Sequence, residues 1–273
     1  MRISVLAENT ALSREFKAVH GICLYIETGD RKILFDLGPR KVFLKNAASL
    51  GINITDADTV IISHGHGDHG GGLKAFLEAN GRAKIYIHKR AFEKFYTRIG
   101  GIPMYIGLDS SLKDNPRIAF TGGVLEIERD LLLFSGVSGM EYFPNTNDAL
   151  QVKKNGNFVR DDFAHEQNLI ICEGDKRVLI GGCAHNGIIN IQNTGEEILG
   201  KRITHVISGF HLFNPATRET ESNGFISGLA AELLKKETIY YTCHCTGVNP
   251  YGILKRIMSE KINYISTGQV FEI

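Results

Sequence analysis

The sequence carries almost no excess charge of either sign. Its 273 residues include 31 basic and 30 acidic side chains, which leaves a net charge of +1. Such a balance gives no general attraction to nucleic acid or to an anionic membrane surface, so neither partner is expected. No apolar run approaches the roughly 18 residues of a membrane-spanning helix. The chain also reaches Glu8 too early to contain the apolar region of a signal peptide. We therefore expect a cytoplasmic protein.

Cysteine is scarce, and two common catalytic motifs are absent. The five cysteines are an odd number at irregular spacing, which does not indicate a disulfide framework in a chain of this size. The chain contains neither a G-x-S-x-G nucleophile elbow nor a G-x-x-x-x-G-K-[ST] phosphate loop. The chemistry must therefore come from other residues.

Two hairpins organise the pattern of apolar residues that the sequence does contain. The first pairs residues 21–27 with 32–36, and the second pairs 168–173 with 177–181. Each is followed by alternating helices and strands, which two sheets with helices outside them would accommodate. The predicted helices are Val42–Leu50, Leu73–Ala79, Arg90–Tyr96, a segment from Gly187 to at least Ile191, Ile226–Leu234 and Tyr251–Met258. The predicted strands are Thr59–Ser63, Ala83–His88, Thr204–Ser208, Thr238–Thr242 and Tyr264–Thr267.

Residues 100–162 interrupt this regularity. Glycine, proline, asparagine and serine break the apolar pattern, and only Val124–Ile127 and Leu131–Phe134 resemble strands. Two interpretations stay open, an insertion or lid over a functional site and simply irregular surface. No linker composition separates the halves of the chain, so residues 1–273 are predicted to form a single domain.

The densest cluster of histidines lies in I-I-S-H-G-H-G-D-H-G-G-G, residues 61–72. Imidazole nitrogen and carboxylate oxygen are ligands that zinc and similar divalent metals bind. The intervening Gly65 and Gly67 let the loop fold tightly enough to aim these side chains inward. The apolar run before them predicts a buried strand, and sites commonly lie just beyond the carboxyl ends of strands. We therefore predict metal ligands at His64, His66, Asp68 and His69.

This motif resembles the H-x-H-x-D-H signature of the metallo-β-lactamase-fold superfamily, and the predicted element order fits that family's four-layer αββα sandwich, an α/β fold. The resemblance implies that His64 and His66 serve one metal and that Asp68 and His69 serve a second. It also implies that Asp36, at the end of a predicted strand, orients the ligands without binding metal, as metal-bound histidines generally require.

Three histidines beyond the motif follow predicted strands. They are His185 in I-G-G-C-A-H-N-G, His211 in I-S-G-F-H-L and His244 in Y-T-C-H-C-T-G. Together with His20-Gly21, these segments resemble the dihydropterin-ribofuranosylaminobenzene-phosphate synthase-related branch of the superfamily, over essentially the whole chain. That resemblance implies that His185 completes the first metal site and His244 the second. His211 is then a pocket residue that contacts substrate, or a spare ligand.

The other histidines are weaker candidates. His205 lies inside a predicted strand and His88 at a strand end, so both are expected to be structural or on the surface. His165 precedes a strand and is expected to project from the opposite end of the sheet unless the chain turns.

One position departs from the usual superfamily pattern, in which a bridging aspartate follows a strand as G-D. This chain has Gly182-Cys183 there, with no aspartate after it. Cys183 is either a thiolate that substitutes for the aspartate or a small buried apolar residue, and we expect the second. The Cys243-His244-Cys245 run suggests a separate thiolate site, but tetrahedral zinc would need further cysteines nearby.

The expected activity is metal-dependent hydrolysis. One or two divalent ions, most simply zinc, with manganese or iron as alternatives, lower the pKa of bound water toward about 7 and supply a metal-bound hydroxide. The two expected catalytic residues are Asp68, which orients the hydroxide or accepts its proton, and His211. A phosphoester or related anionic small molecule suits a two-metal site, which stabilises developing negative charge.

Two alternatives to hydrolysis remain. The activity for which the synthase-related branch is named would join a phosphoribosyl donor to an aminobenzoate with loss of carbon dioxide and pyrophosphate, and fold alone does not decide between reactions. A non-catalytic module that senses a ligand or partner is the third possibility, against which the complete H-x-H-x-D-H set argues. A homo-oligomer is compatible with the sequence.

Overall fold

The computed structural model describes residues 1–273, and the chain divides into two compact units. Unit 1 contains Met1–Glu93, Ile106–Gly122 and Ile265–Ile273, and unit 2 contains Lys94–Tyr105 and Gly123–Tyr264. Unit 1 therefore includes the H-G-H-G-D-H loop, whereas unit 2 includes the three later candidate histidines. The single domain with a lid over its site stays a prediction.

The chain forms 18 strands and six helices. The strands are β1 (Arg2–Ala7), β2 (Cys23–Thr28), β3 (Arg31–Phe35), β4 (Thr59–Ile62), β5 (Lys84–His88), β6 (Phe95–Ile99), β7 (Ile102–Tyr105), β8 (Ile118–Thr121), β9 (Val124–Glu128), β10 (Leu131–Ser135), β11 (Leu150–Lys154), β12 (Asn157–Arg160), β13 (Gln167–Glu173), β14 (Lys176–Ile180), β15 (His205–Ser208), β16 (Ile239–Thr242), β17 (Ile262–Tyr264) and β18 (Val270–Glu272). The helices are α1 (Val42–Ser49), α2 (Gly67–Gly70), α3 (Leu73–Ala79), α4 (Ile188–Leu199), α5 (Asn223–Leu234) and α6 (Val248–Met258). None of these helices has the length and apolar composition to cross a membrane.

Unit 1 is built on a seven-stranded sheet of order β18-β1-β2-β3-β4-β5-β8. The strands from β18 to β3 pair antiparallel, whereas β3, β4, β5 and β8 run parallel. The carboxyl ends of parallel strands meet at one edge of a sheet. The segments that follow β3 and β4 therefore lie side by side, and the Asp36 amide donates to the Ile61 carbonyl at 2.8 Å.

The core of unit 1 lies between this sheet and helices α1 and α3. Leu34 and Val60 on the strands pack in one cluster with Phe43 of α1 and Phe76 of α3. Asn46 is also buried on α1, where its side-chain amide donates to the backbone carbonyls of Leu6 and Lys17. These bonds satisfy a polar group that would otherwise be costly to bury. Apolar packing and these hydrogen bonds together hold α1 against the sheet that carries the histidine loop.

Unit 2 contains a second seven-stranded sheet of order β17-β16-β15-β14-β13-β10-β9 and a four-stranded sheet of order β12-β11-β6-β7. In the larger sheet, β9, β10, β13 and β14 pair antiparallel, and β14 to β17 run parallel. The loops after β14, β15 and β16 therefore emerge at one edge.

Helices α4, α5 and α6 pack against the larger sheet of unit 2. Leu229 of α5 and Val206 of β15 belong to the same buried cluster. The N-terminus of α5 is capped by Ser222, whose hydroxyl accepts a hydrogen bond from the Phe225 amide at 3.1 Å. Helix α4 ends at Gly200 with a φ of +62°, the left-handed conformation that glycine adopts without strain.

The predicted α/β class and both hairpins are confirmed, but one predicted helix is wrong. Residues 90–96 do not form a helix; the chain turns after His88 and then forms β6, which pairs with β7. The turn between them is Gly100-Gly101, a dipeptide typical of two-residue hairpins. Aromatic and β-branched residues in F-Y-T-R-I also favour a strand, and the helical spacing concealed this preference.

Residues 100–162 are more regular than the sequence indicates. Six strands, β7 to β12, lie in this region, and they belong to all three sheets. Most residues of β7, β9 and β12 are exposed, so these strands lack the apolar alternation that would identify them. The last predicted strand is displaced: β17 ends at Tyr264, and the Thr267 hydroxyl instead donates to the Glu8 carbonyl.

Candidate metal centre

The H-G-H-G-D-H loop directly follows the buried strand β4 and leads into the short helix α2. Its backbone is fixed at Gly67, whose amide donates to the Ile106 carbonyl at 2.7 Å. Gly21 passes so close to the carbonyl of Asp68 that a Cβ atom there would collide with it. Its φ of +141° also favours glycine. Glycine at position 21 is therefore required for the close approach of these two segments.

Asp36 anchors this loop through three hydrogen bonds. Its Oδ1 accepts from the Ser63 amide, and its Oδ2 accepts from the Ser63 hydroxyl and from His69 Nδ1, each at 2.7 Å. The carboxylate is fully buried. Asp36 thus positions the loop by hydrogen bonds to Ser63 and His69. The role that the resemblance implies for Asp36, orienting the ligands without binding metal, stays a prediction.

The same network assigns the tautomers of two candidate ligands. The Ser63 hydroxyl donates its hydrogen bond to Asp36. Ser63 Oγ can therefore only accept from His64, whose Nδ1 lies 2.8 Å away. His69 Nδ1 is likewise protonated, because it donates a hydrogen bond to Asp36. A neutral imidazole protonated on Nδ1 has its lone pair on Nε2. His64 and His69 therefore have the tautomer that binds a divalent metal through Nε2, and this donor set fits such an ion.

The three imidazoles of the loop form a compact buried cluster. The ring centroid of His64 lies 4.6 Å from that of His66 and 4.0 Å from that of His69. All three side chains are at least nine-tenths buried. Protonated rings at these distances would repel one another in a poorly hydrated environment, so the arrangement favours neutral, metal-binding imidazoles.

Asp68 is the more exposed member of the loop. Its Oδ2 lies 3.2 Å from His20 Nε2 and 3.7 Å from His69 Nε2, and its side chain is 24% exposed. A carboxylate that solvent can reach, beside a buried imidazole, is suited to exchanging protons with water.

In unit 2, Asn147 positions His185. Its Oδ1 accepts from His185 Nδ1 at 2.8 Å, and its Nδ2 donates to the His185 carbonyl at the same distance. The bond to Nδ1 again leaves the imidazole lone pair on Nε2. Phe163 stacks on the ring with centroids 4.5 Å apart and an interplanar angle of 7°. His185 is therefore oriented by a neutral amide and an aromatic face.

Glu166 holds the backbone around this histidine. Its carboxylate accepts from the amides of His185 at 2.7 Å and Asn186 at 3.0 Å, and from the Asn186 side chain at 2.8 Å. Burial raises the pKa of Glu166 above its ordinary value, because these donors compensate only partly for the lost hydration.

His211 lies beside His185, with ring centroids 4.3 Å apart. The Thr146 hydroxyl donates to the His211 carbonyl and accepts from His211 Nδ1 at 2.8 Å. The Thr146 amide in turn donates to Glu221 at 3.0 Å. A chain of polar contacts thus orients the His211 ring.

His244 and Cys183 lie near one another at the same edge of the larger sheet of unit 2. The Cys183 Sγ atom lies within 4.8 Å of a ring nitrogen of His185 and within 4.8 Å of a ring nitrogen of His244. All three side chains are buried. The structure therefore brings together, within unit 2, the two predicted ligands and the cysteine between them.

Strained backbone is concentrated at these positions. Four of the ten non-glycine residues with positive φ are Asp36, Ala184, His211 and His244, with values from +46° to +58°. Such conformations cost of order 1–3 kcal/mol each for most side chains and persist where surrounding contacts enforce them. Their concentration at the candidate ligands and their neighbours is typical of a functional site.

The three weaker histidine candidates have polar or aromatic partners of their own. His205 is the first residue of β15, at the end of that strand opposite to His211, and burial lowers its pKa. His88 Nδ1 accepts from the Arg90 amide at 3.3 Å. His165 Nε2 lies 3.1 Å from Asp161, and its ring lies over Phe95. The contacts of His205 and His88 support a structural role for these two. His165 and Asp161 instead belong to a buried group of side chains that could hold a metal ion, which the position of His165 before a strand did not indicate.

Most residues that orient the candidate ligands are not recognisable from the sequence. Ser63 is the exception, because it adjoins the histidine motif. Asn147 and Thr146 lie 38 and 65 positions from the histidines that they orient. No local pattern marks either of them, because the contacts arise only when the chain folds.

Comparison with known proteins identifies the family that the chain resembles. Residues 18–147 match the family model of the metallo-beta-lactamase superfamily. The chain is 31% identical over 252 residues to an uncharacterised protein of Methanocaldococcus jannaschii, covering 90% of each chain. It is also 26% identical over 292 aligned residues to the 7,8-dihydropterin-6-methyl-4-(beta-D-ribofuranosyl)-aminobenzene-5'-phosphate synthase of the same organism, covering 100% of this chain and 96% of the synthase.

A solved structure supports the fold assignment. It is that of a metal-dependent hydrolase of the beta-lactamase superfamily, 31% identical in sequence, with a TM-score of 0.83 over 100% of this chain and 99% of that one. The predicted fold type is thereby confirmed.

Proposed function

The chain belongs to the metallo-β-lactamase superfamily, and we therefore propose that it is a metal-dependent hydrolase acting on a phosphoester or a related anionic small molecule. The observation that supports this most directly is the Asp36–Ser63 network, which sets two buried histidines in the tautomer that binds metal through Nε2. The proposed metal ligands are His64, His66, Asp68, His69, His185 and His244.

Divalent ions, most simply one or two zinc ions, lower the pKa of a coordinated water and polarise an oxygen of the substrate when bound. We assign Asp68 to orient the attacking water and accept its proton, because its carboxylate is partly exposed and adjoins His69. We assign His211 to contact the substrate, because Thr146 fixes the orientation of its ring through Nδ1. Asp36 acts only by positioning the ligands.

The charge of the proposed ligand set favours an anionic substrate. Five of its members are neutral imidazoles, and Asp68 supplies the single carboxylate. Each divalent ion adds two positive charges, so a site loaded with two ions carries a net positive charge. Negative charge that develops on a phosphoryl oxygen during hydrolysis would be stabilised there.

The metal assignment is tested by the metal content of the purified protein. Mass spectrometry should detect one to two divalent ions per chain, which the His64→Ala/His66→Ala double variant should lose. His205→Ala removes a buried histidine outside the site and should keep the ions. Unchanged metal content in the double variant would place the metal elsewhere.

The substrate class is tested by turnover of generic phosphodiesters with zinc, manganese or iron added. Hydrolysis that the double variant lacks would support the proposal. A protein that retains its metal and hydrolyses none of these esters would refute the phosphoester assignment.

A second candidate function is the synthase reaction, which the 26% identity across 96% of a named synthase favours. In that case the protein should release pyrophosphate from phosphoribosyl pyrophosphate only when p-aminobenzoate is present. Measurement of pyrophosphate separates this activity from hydrolysis, since it depends on both substrates.

A further inference from the structure

Cys183 occupies the position where the superfamily pattern expects an aspartate between the two metals. The sequence favours a small buried apolar residue there. The surroundings of Cys183 differ from those of a cysteine with that role. Cys23 is a member of the apolar core of unit 1, and burial followed by the charge of Asp36 raises the pKa of its thiol. Cys183 is equally buried but does not belong to the apolar core of unit 2, although its neighbour Ala184 does.

Ring nitrogens of two proposed metal ligands lie near the Cys183 thiol. Its Sγ lies within 4.8 Å of ring nitrogens of both His185 and His244. These two histidines follow different strands, β14 and β16, and the family resemblance implies that they serve different metals. A sulfur atom at this distance from both is placed where one ion could be shared or two could be bridged.

The backbone explains how the sulfur reaches this place. Ala184, between Cys183 and His185, has a φ of +54°, which turns the chain sharply just beyond β14. Asn147 and Glu166 hold His185 on the far side of this turn. The position of the thiol is thus enforced by contacts that also orient a proposed ligand.

We propose that Cys183 is a thiolate metal ligand between the His185 and His244 positions, in place of the aspartate that the superfamily pattern has there. The inference rests on the proposed metal site. On metal binding the thiol loses its proton to solvent and the sulfur forms the bond to the ion, so one proton is released per chain. Thiolate is a soft ligand that selects zinc or cobalt over magnesium or manganese. A site with this ligand therefore prefers zinc to the manganese that the proposed function also considers.

The test is spectroscopic and uses cobalt(II) added to the full-length, metal-free protein. Cobalt bound by any of the proposed ligands gives visible d–d bands, whereas a cobalt–thiolate bond adds an intense near-ultraviolet charge-transfer band. The wild-type protein should show both. Cys183→Ser should keep the visible bands and lose the charge-transfer band.

Other cysteines supply the matched controls. Cys245→Ser and Cys172→Ser should retain both sets of bands. If the charge-transfer band disappears in Cys245→Ser and persists in Cys183→Ser, the thiolate site is the Cys243-His244-Cys245 run and the proposal is overturned. Cys183→Asp, which restores the carboxylate, should bind the same number of cobalt ions without the charge-transfer band and thus covers a failure of the serine variant to fold.

The outcomes for the wild-type protein separate the two proposals. Visible bands without a charge-transfer band would refute the role of Cys183 and leave the metal site in place. No cobalt spectrum at all would refute the metal site, and with it the proposed function. As an independent check, a pH indicator should record one more proton released per chain on metal binding by the wild type than by Cys183→Ser.

Discussion

The two units present their candidate ligands in different ways. In unit 1 a single loop after β4 carries four of them within residues 64–69, and one buried carboxylate, Asp36, supports it. In unit 2 the candidates follow three neighbouring parallel strands, β14, β15 and β16. His185 and His211 are each supported by a neutral side chain, Asn147 and Thr146 respectively.

Both units nevertheless use the same device, an oxygen atom that accepts a hydrogen bond from Nδ1 of a histidine. In unit 1 the acceptor is the Asp36 carboxylate for His69 and the Ser63 hydroxyl, itself bonded to Asp36, for His64. In unit 2 it is an amide for His185 and a hydroxyl for His211. A charged acceptor raises the basicity of the imidazole more than a neutral one does. The comparison therefore predicts that unit 1 contributes more of the metal affinity, whereas unit 2 contributes more to the positioning of the substrate.

The largest effect is expected for Asp36→Asn. Asparagine tolerates the left-handed φ of +58° that Asp36 adopts. The variant therefore tests the negative charge of Asp36 and the oxygen atoms that accept its hydrogen bonds. Its amide nitrogen cannot accept from Ser63 or His69, and zinc affinity should fall by about 10- to 100-fold. Titration against a competing chelator measures this affinity. An affinity equal to that of the wild type would mean that the carboxylate does not tune the ligands.

A smaller loss is expected for Asn147→Ala. This variant removes both hydrogen bonds to His185 and should weaken zinc binding by roughly 10-fold, the lower end of such effects. Asn145→Ala is the matched control, because the Asn145 side chain donates to Glu221 and not to His185. If Asn147→Ala weakens binding more than Asp36→Asn, the proposed ranking of the two units is wrong.

Thr146→Val should separate catalysis from metal binding. Valine keeps the shape of threonine but cannot accept a hydrogen bond from His211 Nδ1. The value of kcat should therefore decrease by roughly 10-fold, which corresponds to one hydrogen bond of about 1.4 kcal/mol. Metal content should stay the same, since His211 is assigned to the substrate. Loss of a metal ion in this variant would show that His211 is a ligand instead.

The smallest effect concerns stability at low pH, away from the site. Burial, and secondarily Lys176, lower the pKa of His205 in the folded protein. As the pH falls below about 6.5, the unfolded chain takes up this proton first and folding becomes less favourable until the pH passes the folded-state pKa. His205→Asn should reduce this loss, as measured by urea unfolding at several pH values. Parallel stability curves for the two proteins would contradict the assignment.

The sequence predicted the parts of the site that are local. The H-G-H-G-D-H loop is recognisable because its ligands, glycines and preceding strand are contiguous, and both hairpins have their turn residues beside their strands. The predicted helix at residues 90–96 is wrong because a pairing between β6 and β7 prevailed over helical spacing. The apolar role that the sequence predicts for Cys183 stays a prediction, against which the thiolate ligand is proposed.

The sequence by itself determined the chemistry available: histidines and a carboxylate at metal-binding spacing, no G-x-S-x-G nucleophile elbow, and a cysteine where the superfamily pattern has an aspartate. Only the tertiary structure decided how these groups are oriented. The tautomers of His64, His69 and His185 depend on acceptors from other segments, and the place of Cys183 depends on the neighbouring parallel strands β14 and β16. A hydrogen bond requires two atoms within about 3 Å, and distances of that kind between remote residues exist only after the strands have paired.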